Sequence, residues 1–421
     1  MESDAASSQQ ITAAVSWDRL AQRLAELAVL GNTGDGGCAR LACTDQDKAG
    51  RDLVVTWMRD LDLEISVDGI GNVIGTQRGF VPTAAPVMCG SHIDTVATGG
   101  TLDGNFGVLA GLEVIETIQR GSISLPRPLA VGFFTNEEGA RFAPDMLGSL
   151  TFVGGLALEE ALDTIAIDGA RLGDELSRIG YHGMSPLPAA PPHAFVELHI
   201  EQGPVLEAEG YQIGVVTGVQ GISWQAVRFV GQSNHAGTTP MHLRKDPAYA
   251  AFATATKVRE LALQIGGTQV GTVGKIDLVP NLINVVAREA SFTVDLRNTE
   301  ESTLRQAEAA IAAFIDQLAD SEGLEVSRTQ LARFEPVNFD ERVVGMIERI
   351  AARRGVAHRR LPSGAGHDAQ MLSRVCPTAM IFVPSVNGIS HNPAEFTAAE
   401  DLAEGAQILL ETMVELASTE F

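Results

Sequence analysis

At 421 residues the chain is longer than one small hydrophobic core supports, so two domains are expected. With 45% hydrophobic and 20% charged residues it has the composition of a globular chain. The net charge of −23 argues against nucleic acid or anionic membranes as partners, and an anionic substrate would need locally placed cations. The four cysteines form no CxxC and lack the density of a disulfide scaffold, as expected of a reducing cytoplasm. The opening MESDAASSQQ has the character of neither a secretory signal nor a mitochondrial presequence. No run reaches the roughly 18 apolar residues of a membrane helix.

In chain order, the spacing predicts amphipathic helices over 11–29 and 45–61, the second with Leu53, Trp57 and Leu61 on one face. Residues 64–75 alternate as a strand pair around Asp68-Gly69. The apolar run at 86–89 then leads into GSHIDTVATGGTLDGNFG, residues 90–107. Side chains two apart on a strand share a face, so His92 and Asp94 point into one space. There the Asp94 carboxylate can accept the second ring N–H of His92 and hold that ring as a metal ligand. The alternative for His92 is an ordinary hydrogen-bonded histidine at a strand end. Asp103 follows in a glycine-rich turn before a helix over 107–119, placed either to bind a cation or to cap that helix. Residues 129–135 form a continuous apolar run, the mark of a strand buried on both faces. Glu137 and Glu138 come next and face apart in an extended chain, so one can coordinate while the other carries protons; an exposed acidic loop is the competing reading. Strand, helix, strand in this order predicts a mostly parallel sheet whose ligands gather at the strands' carboxyl ends, where both polar clusters fall.

An acidic helix over 159–179 and a proline-rich loop over 186–192 precede AFVELHIEQGPVLE, in which Glu197, His199 and Glu201 alternate on one strand face. After Gly221 the character changes. Strands and helices through 302–319 read as an inserted α+β sandwich, with the chain returning near Phe334. Inside the insert, His235 sits in the polar loop SNHAGTTP. Asn284 and Arg297 stand at the two ends of a hairpin-like pair of strands, and Arg297 reads as a salt-bridge partner or a carboxylate anchor. The tail carries PSGAGHDAQML, where His367 and Asp368 open a helix. A buried strand, AMIFVP, then precedes SVNGISHNPAEF with His391 and Glu395, and a helix over 398–416 closes the chain.

These blocks together resemble the hydantoinase/carbamoylase branch of the two-metal aminoacylase and carboxypeptidase family. That branch includes N-carbamoyl-L-amino acid hydrolases, allantoate amidohydrolases and β-ureidopropionases. GSHIDTV, GTLDGNFG, TNEEGARF, ELHIEQGPVLE, SNHAGTTPM, SGAGHDAQ and SHNPAEF occur in the family's order from about residue 90 to 396. The resemblance implies an α/β fold: a mostly parallel-sheet metallohydrolase domain (1–217 and 332–421) with an inserted α+β sandwich lid and dimerisation domain (218–331). It implies five metal ligands, with His92 and His199 on one ion, Glu138 and His391 on the other, and Asp103 bridging. Glu137 is then the general base and Asp94 the carboxylate behind His92. His235, from the partner subunit, stabilises the oxyanion. Gln202, Asn284, Arg297, Gly364 and His367 contact the substrate.

Three imidazoles and two carboxylates make a mixed N/O donor set suited to two divalent ions of Zn, Mn, Co or Ni, and poor for Ca²⁺ or Cu⁺. The implied protein is a cytoplasmic homodimeric amidohydrolase. It cleaves the carbamoyl C–N bond of N-carbamoyl-L-amino acids to amino acid, CO₂ and ammonia, and its partners are small ureido or carbamoyl carboxylates. Allantoate and β-ureidopropionate are the alternative substrates. Apolar residues near the pocket loops (Ile222, Trp224, Ile389) favour a side chain over a second ureido group. A non-catalytic metal- or ligand-binding protein on the same fold is the alternative from another class, against which the retained Glu137 argues.

Overall fold

The apolar runs that precede each polar cluster become the inner strands of a sheet. The computed structural model describes residues 13–78, 81 and 83–420. The first strands are β1 (Glu64–Val67), β2 (Val73–Gln77), β3 (Val87–His92), β4 (Leu129–Phe134), β5 (Ala194–Ile200) and β6 (Ile213–Val219). An insert contributes β7 (Gly221–Val230), β8 (Asn234–His235), β9 (Val270–Thr272), β10 (Ile276–Val279), β11 (Val285–Val286), β12 (Glu289–Asn298) and β13 (Glu325–Phe334). The chain returns through β14 (Val337–Asn338), β15 (His358–Ser363) and β16 (Thr378–Val383). Two compact units result, Met1–Thr217 with Phe339–Phe421, and Gly218–Asn338.

In the first unit the strand order is β1-β2-β4-β3-β5-β16-β6, with β15 beside β6. β4, β3, β5 and β16 run parallel to their neighbours among these four, and every residue of the four is buried. Burial on both faces is what unbroken apolar runs such as LAVGFF require. Helices Asn105–Arg120 and Ala399–Ala417 pack against these strands and each other. Val108, Leu109, Leu112 and Ile115 of the first are wholly buried, each contributing about 1.5–3 kcal/mol over an exposed position. That helix starts from Gly104 without a side-chain cap, so the carboxylate of Asp103 is left for other work.

Two helices differ from their expected bounds. The first spans Trp17–Ala28, because the Ser16 hydroxyl accepts the Arg19 N–H and caps it there; residues 11 and 12 lie outside the described residues. The acidic stretch forms two helices, Leu158–Leu162 and Leu172–Ile179. Between them Asp168 accepts the Ala170 N–H at 3.2 Å, closing a turn at Gly169.

In the second unit, β10-β12-β7-β13 form an antiparallel sheet with β9 beside β12. Helices Pro247–Ile265 and Glu301–Glu322 pack with it around Phe229, Phe292, Val294, Leu304 and Ile311. β12 alternates buried and half-buried residues, as a one-sided sheet demands. The unit extends to Asn338, not 331, because β13 still pairs with β7. The 285–286 segment pairs with β8 in a small separate sheet, while β12 pairs with β7, β9 and β10. Asn284 and Arg297 therefore do not terminate one hairpin. No helix among the described residues is long and apolar enough to cross a membrane.

Candidate metal centre

The four parallel strands of the first unit deliver their polar groups at one end, the carboxyl end, where open α/β sheets collect ligands. His92 is the last residue of β3, and its Nδ1 donates to the Asp94 main-chain carbonyl at 2.9 Å. The expected acceptor, the Asp94 carboxylate, is turned away. It accepts the N–H groups of Glu137 and Glu138 at 3.3 and 3.4 Å, tying the loop after β4 to the end of β3. The chain bends beyond His92, so the Asp94 carbonyl takes the place at Nδ1 and the side chain meets the loop after β4. His199, near the end of β5, is held likewise, Nδ1 to the Ile200 carbonyl at 2.9 Å. Both rings thus present Nε2 to the same space.

Asp103 stands in the middle. Its Oδ1 lies 3.5 Å from His92 Nε2 and 3.1 Å from His199 Nε2, and its Oδ2 lies 3.4 Å from His391 Nε2. His391 Nε2 is also 3.3 Å from Glu138 Oε2, and Glu137 Oε2 is 3.4 Å from His92 Nε2. The ligand atoms of His92, Asp103 and His199 lie within 4.8 Å of one another, as do those of Asp103, Glu138 and His391. Each group holds one oxygen of the same carboxylate, the geometry of a bridge. Gly104 makes the approach possible: at φ 65° it has no Cβ, and an added one would fall 2.4 Å from the His92 ring.

The electrostatics call for cations. Burial opposes charge on His92, but Glu137, Asp103 and Asp94 outweigh it and hold the imidazole well above its ordinary range. Hydrogen bonds to Asp103 and Glu138 push His391 up to about 10. Burial raises Glu137 well above the usual carboxylate range; His92 opposes this, and Asp368 and Glu138 reinforce it. Glu138 Oε1 is buried without a hydrogen-bond partner among the described residues. A donor set of imidazole and carboxylate, with one buried oxygen unsatisfied, fits divalent metal ions.

The remaining expected residues divide between the units. In the first, Gln202 Nε2 donates to Asp103 Oδ2 at 2.8 Å, so its amide meets the shared carboxylate. His367 is buried with Nε2 2.8 Å from the Ser363 hydroxyl, and burial and then His199 keep it well below its ordinary range, hence neutral. Gly364 lies in the bend before it. Glu197, His199 and His367 also converge, but the Glu197 oxygens already accept from the Ser91 hydroxyl at 2.6 Å and the Ala369 N–H at 2.7 Å. Glu201 turns its carboxylate to the N–H groups of Val205 and Leu206. In the second unit His235 is exposed on β8, its Nδ1 accepting the Gly237 N–H at 3.0 Å, and the Asn284 carbonyl accepts the Ala236 N–H. Arg297 bonds Asp295 through Nε and Nη2 at 3.2 and 3.0 Å and sits 5.7 Å from the Trp224 ring centre. Two groups had no role in the sequence reading, Ser390, which was not singled out, and Glu395, which was named only beside His391. Both bond the Asp103 loop, and their only signal was membership of SHNPAEF.

Residues 88–415 match the family described as Peptidase family M20/M25/M40. The chain belongs to that family. Its hydrolases are metal-dependent. Within it the chain is 41% identical over 403 residues to the N-carbamoyl-L-amino-acid amidohydrolase of Rhizobium meliloti, spanning 96% of this chain and 97% of that one. It is 36% identical to the allantoate amidohydrolase of Escherichia coli (strain K12), over 93% of this chain and 96% of that one. A crystal structure of a hydantoinase/carbamoylase family amidase from Burkholderia multivorans superposes with a TM-score of 0.95 at 44% identity, covering 98% of this chain and 100% of that one. The chain is thus a member of the hydantoinase/carbamoylase amidases.

Proposed function

We propose that this M20-family member is an amidohydrolase that cleaves the carbamoyl C–N bond of N-carbamoyl-L-amino acids, releasing amino acid, CO₂ and ammonia. The observation that carries the reading is the sharing of Asp103 between two histidine–carboxylate groups, with Glu137 alongside. His92, His199 and Asp103 would hold one divalent ion, and Asp103, Glu138 and His391 a second, of Zn, Mn, Co or Ni. Such a pair polarises a carbonyl and acidifies water toward a pKa of ~7. Glu137 takes the proton of the attacking water and returns it to the leaving nitrogen, a role that its buried position beside His92 supports. Arg297, with a planar fork of donors, anchors the substrate carboxylate in exchange for Asp295. Asp94 acts on both sides of the centre, through its carbonyl on His92 and its carboxylate on the Glu137 and Glu138 amides. Gln202, Gly364 and His367 border the substrate.

The protein acts as a cytoplasmic homodimer in this reading, with the second unit supplying His235 and Asn284 to a partner's site. The four cysteines are free and buried, which agrees with a reducing compartment.

The allantoate amidohydrolase of Escherichia coli, at 36% identity, keeps allantoate as a second candidate substrate. One comparison separates them: protein reconstituted with Zn²⁺ or Mn²⁺ is assayed against N-carbamoyl-L-amino acids, β-ureidopropionate and allantoate. The highest kcat/KM is expected on a carbamoyl amino acid. Preference for allantoate would replace that substrate, and metal uptake without hydrolysis of any ureido compound would favour a binding protein.

A further inference from the structure

Glu395 lies four residues beyond His391 and is only 8% exposed. Its Oε1 accepts the main-chain N–H groups of Leu102 and Asp103, both at 3.1 Å. Its Oε2 accepts the Ser390 hydroxyl at 3.0 Å, and that hydroxyl also lies 3.2 Å from Asp103 Oδ2. On the other flank Thr98 Oγ1 donates to the His391 carbonyl at 3.4 Å. The segment 390–395 therefore clasps the loop 98–103 from both sides. Gly100 leaves the room for this: a Cβ there would stand 2.2 Å from Glu395 Oε1 and 2.4 Å from Glu395 Cβ.

The clasp has a direction. His92 and His199 are set by β3 and β5 and by the carbonyls on their Nδ1 atoms. His391 lies on no strand and is half-exposed, and apart from Glu138 its partners, Asp103 and Thr98, lie on the loop that Glu395 ties down. Resting on the two-ion reading above, we propose that Glu395 is a positioning residue: by holding the Leu102 and Asp103 amides it fixes where Asp103 Oδ2 meets His391, and so sets the affinity of the ion shared by Asp103, Glu138 and His391. The ion shared by His92, Asp103 and His199 depends on it less, because two of its three ligands are set by the carbonyls of Asp94 and Ile200. The buried amides require an acceptor, and an outer partner of this kind is worth roughly 10- to 100-fold in metal affinity.

The test is a Zn²⁺ titration of metal-free protein against a chromophoric chelator, read as stoichiometry and two dissociation constants. Wild type is expected to take two ions. Glu395→Leu keeps the volume and loses the acceptors; it should bind one ion roughly tenfold or more weakly and weaken the other distinctly less. Glu395→Gln still accepts both amides through its carbonyl and should stay within about threefold of wild type for both ions. Gly100→Ala drives Glu395 from beneath the loop and should repeat the Leu result, which keeps the test open if Glu395→Leu fails to fold. Two unaltered constants in the Leu and Ala variants, or equal weakening of both ions, would overturn the proposal. Fewer than two ions on wild type would instead overturn the two-ion reading beneath it.

Discussion

Glu137 and Glu138 are consecutive, yet their carboxylates serve opposite sides of Asp103, one 3.4 Å from His92 Nε2 and the other 3.3 Å from His391 Nε2. Adjacent residues can divide the labour in this way because the Asp94 carboxylate holds both of their amides and fixes the bend between them. Glu137→Gln preserves size and hydrogen-bonding reach but removes the proton carrier. Metal content by atomic emission should stay at the wild-type value while kcat falls by about 10²–10⁴ or more. A kcat within tenfold of wild type would remove Glu137 from the proton transfer. His92, Glu137 and Glu138 were legible because they stand at or just past apolar runs, where a parallel sheet exposes its strand ends, whereas the roles of Asp103, His199 and His391 rested on the family resemblance. What was not legible is which atom of each residue is used. That the carbonyl of Asp94, and not its carboxylate, orients His92 depends on how the chain bends after the strand, and no residue type records it. Glu395 was hidden for a related reason: it acts on main-chain amides, which carry no side-chain signature.

At the scale of elements, apolar runs identified β3, β4 and β16 because burial on both faces leaves nothing to alternate, while β5 was identified by the alternation of Glu197, His199 and Glu201. The short helices flanking the turn at Asp168-Gly169 were read as one, since acidic helix-formers lie on both sides of the break. β13 was missed because all its residues are exposed or half-buried, so it lacks an apolar signal. Helix Trp17–Ala28 is fixed to helix Asn105–Arg120 by polar contacts beside its buried leucines: Arg19 bonds Glu113, and Arg23 bonds Glu116. Burial works against the Glu116 charge, but hydrogen bonds from Arg120 and Arg23 hold its carboxyl below the usual range. A lowered folded-state value stabilises the protein above the unfolded pKa of about 4.3. The contribution disappears as pH falls through the lowered value. Amide exchange across residues 17–28 should therefore quicken below about pH 4, and Glu116→Gln should flatten that part of the profile. The loss near neutrality should be no more than about 1 kcal/mol, because Arg120 is largely solvated. An unchanged acid profile in the variant would assign the pinning to other groups.

The second unit on its own poses a question of reach that belongs to the whole molecule. Arg297 pairs with Ile222 near the Gly221 end of β7, whereas Glu289 pairs with Val230 at the opposite end. His235 lies just beyond Val230, paired with Val285, next to Asn284. Arg297 lies eight residue steps along β12 from Glu289, about 26 Å at the rise of an extended strand. A carbamoyl amino acid is far shorter, so one substrate cannot be held by Arg297 and by His235 of the same unit. If both groups serve one reaction, two copies of the chain must contribute, as a two-fold dimer allows. His235→Ala and Glu137→Gln proteins, each inactive alone, should then complement when mixed. In an equal mixture half of the dimers are mixed, and each carries one complete site of two, so activity should recover to about one quarter of wild type. Native mass spectrometry of differently tagged subunits verifies the exchange. Mixed dimers that form in the expected proportion yet stay inactive would mean that His235 works within its own chain or outside the reaction altogether.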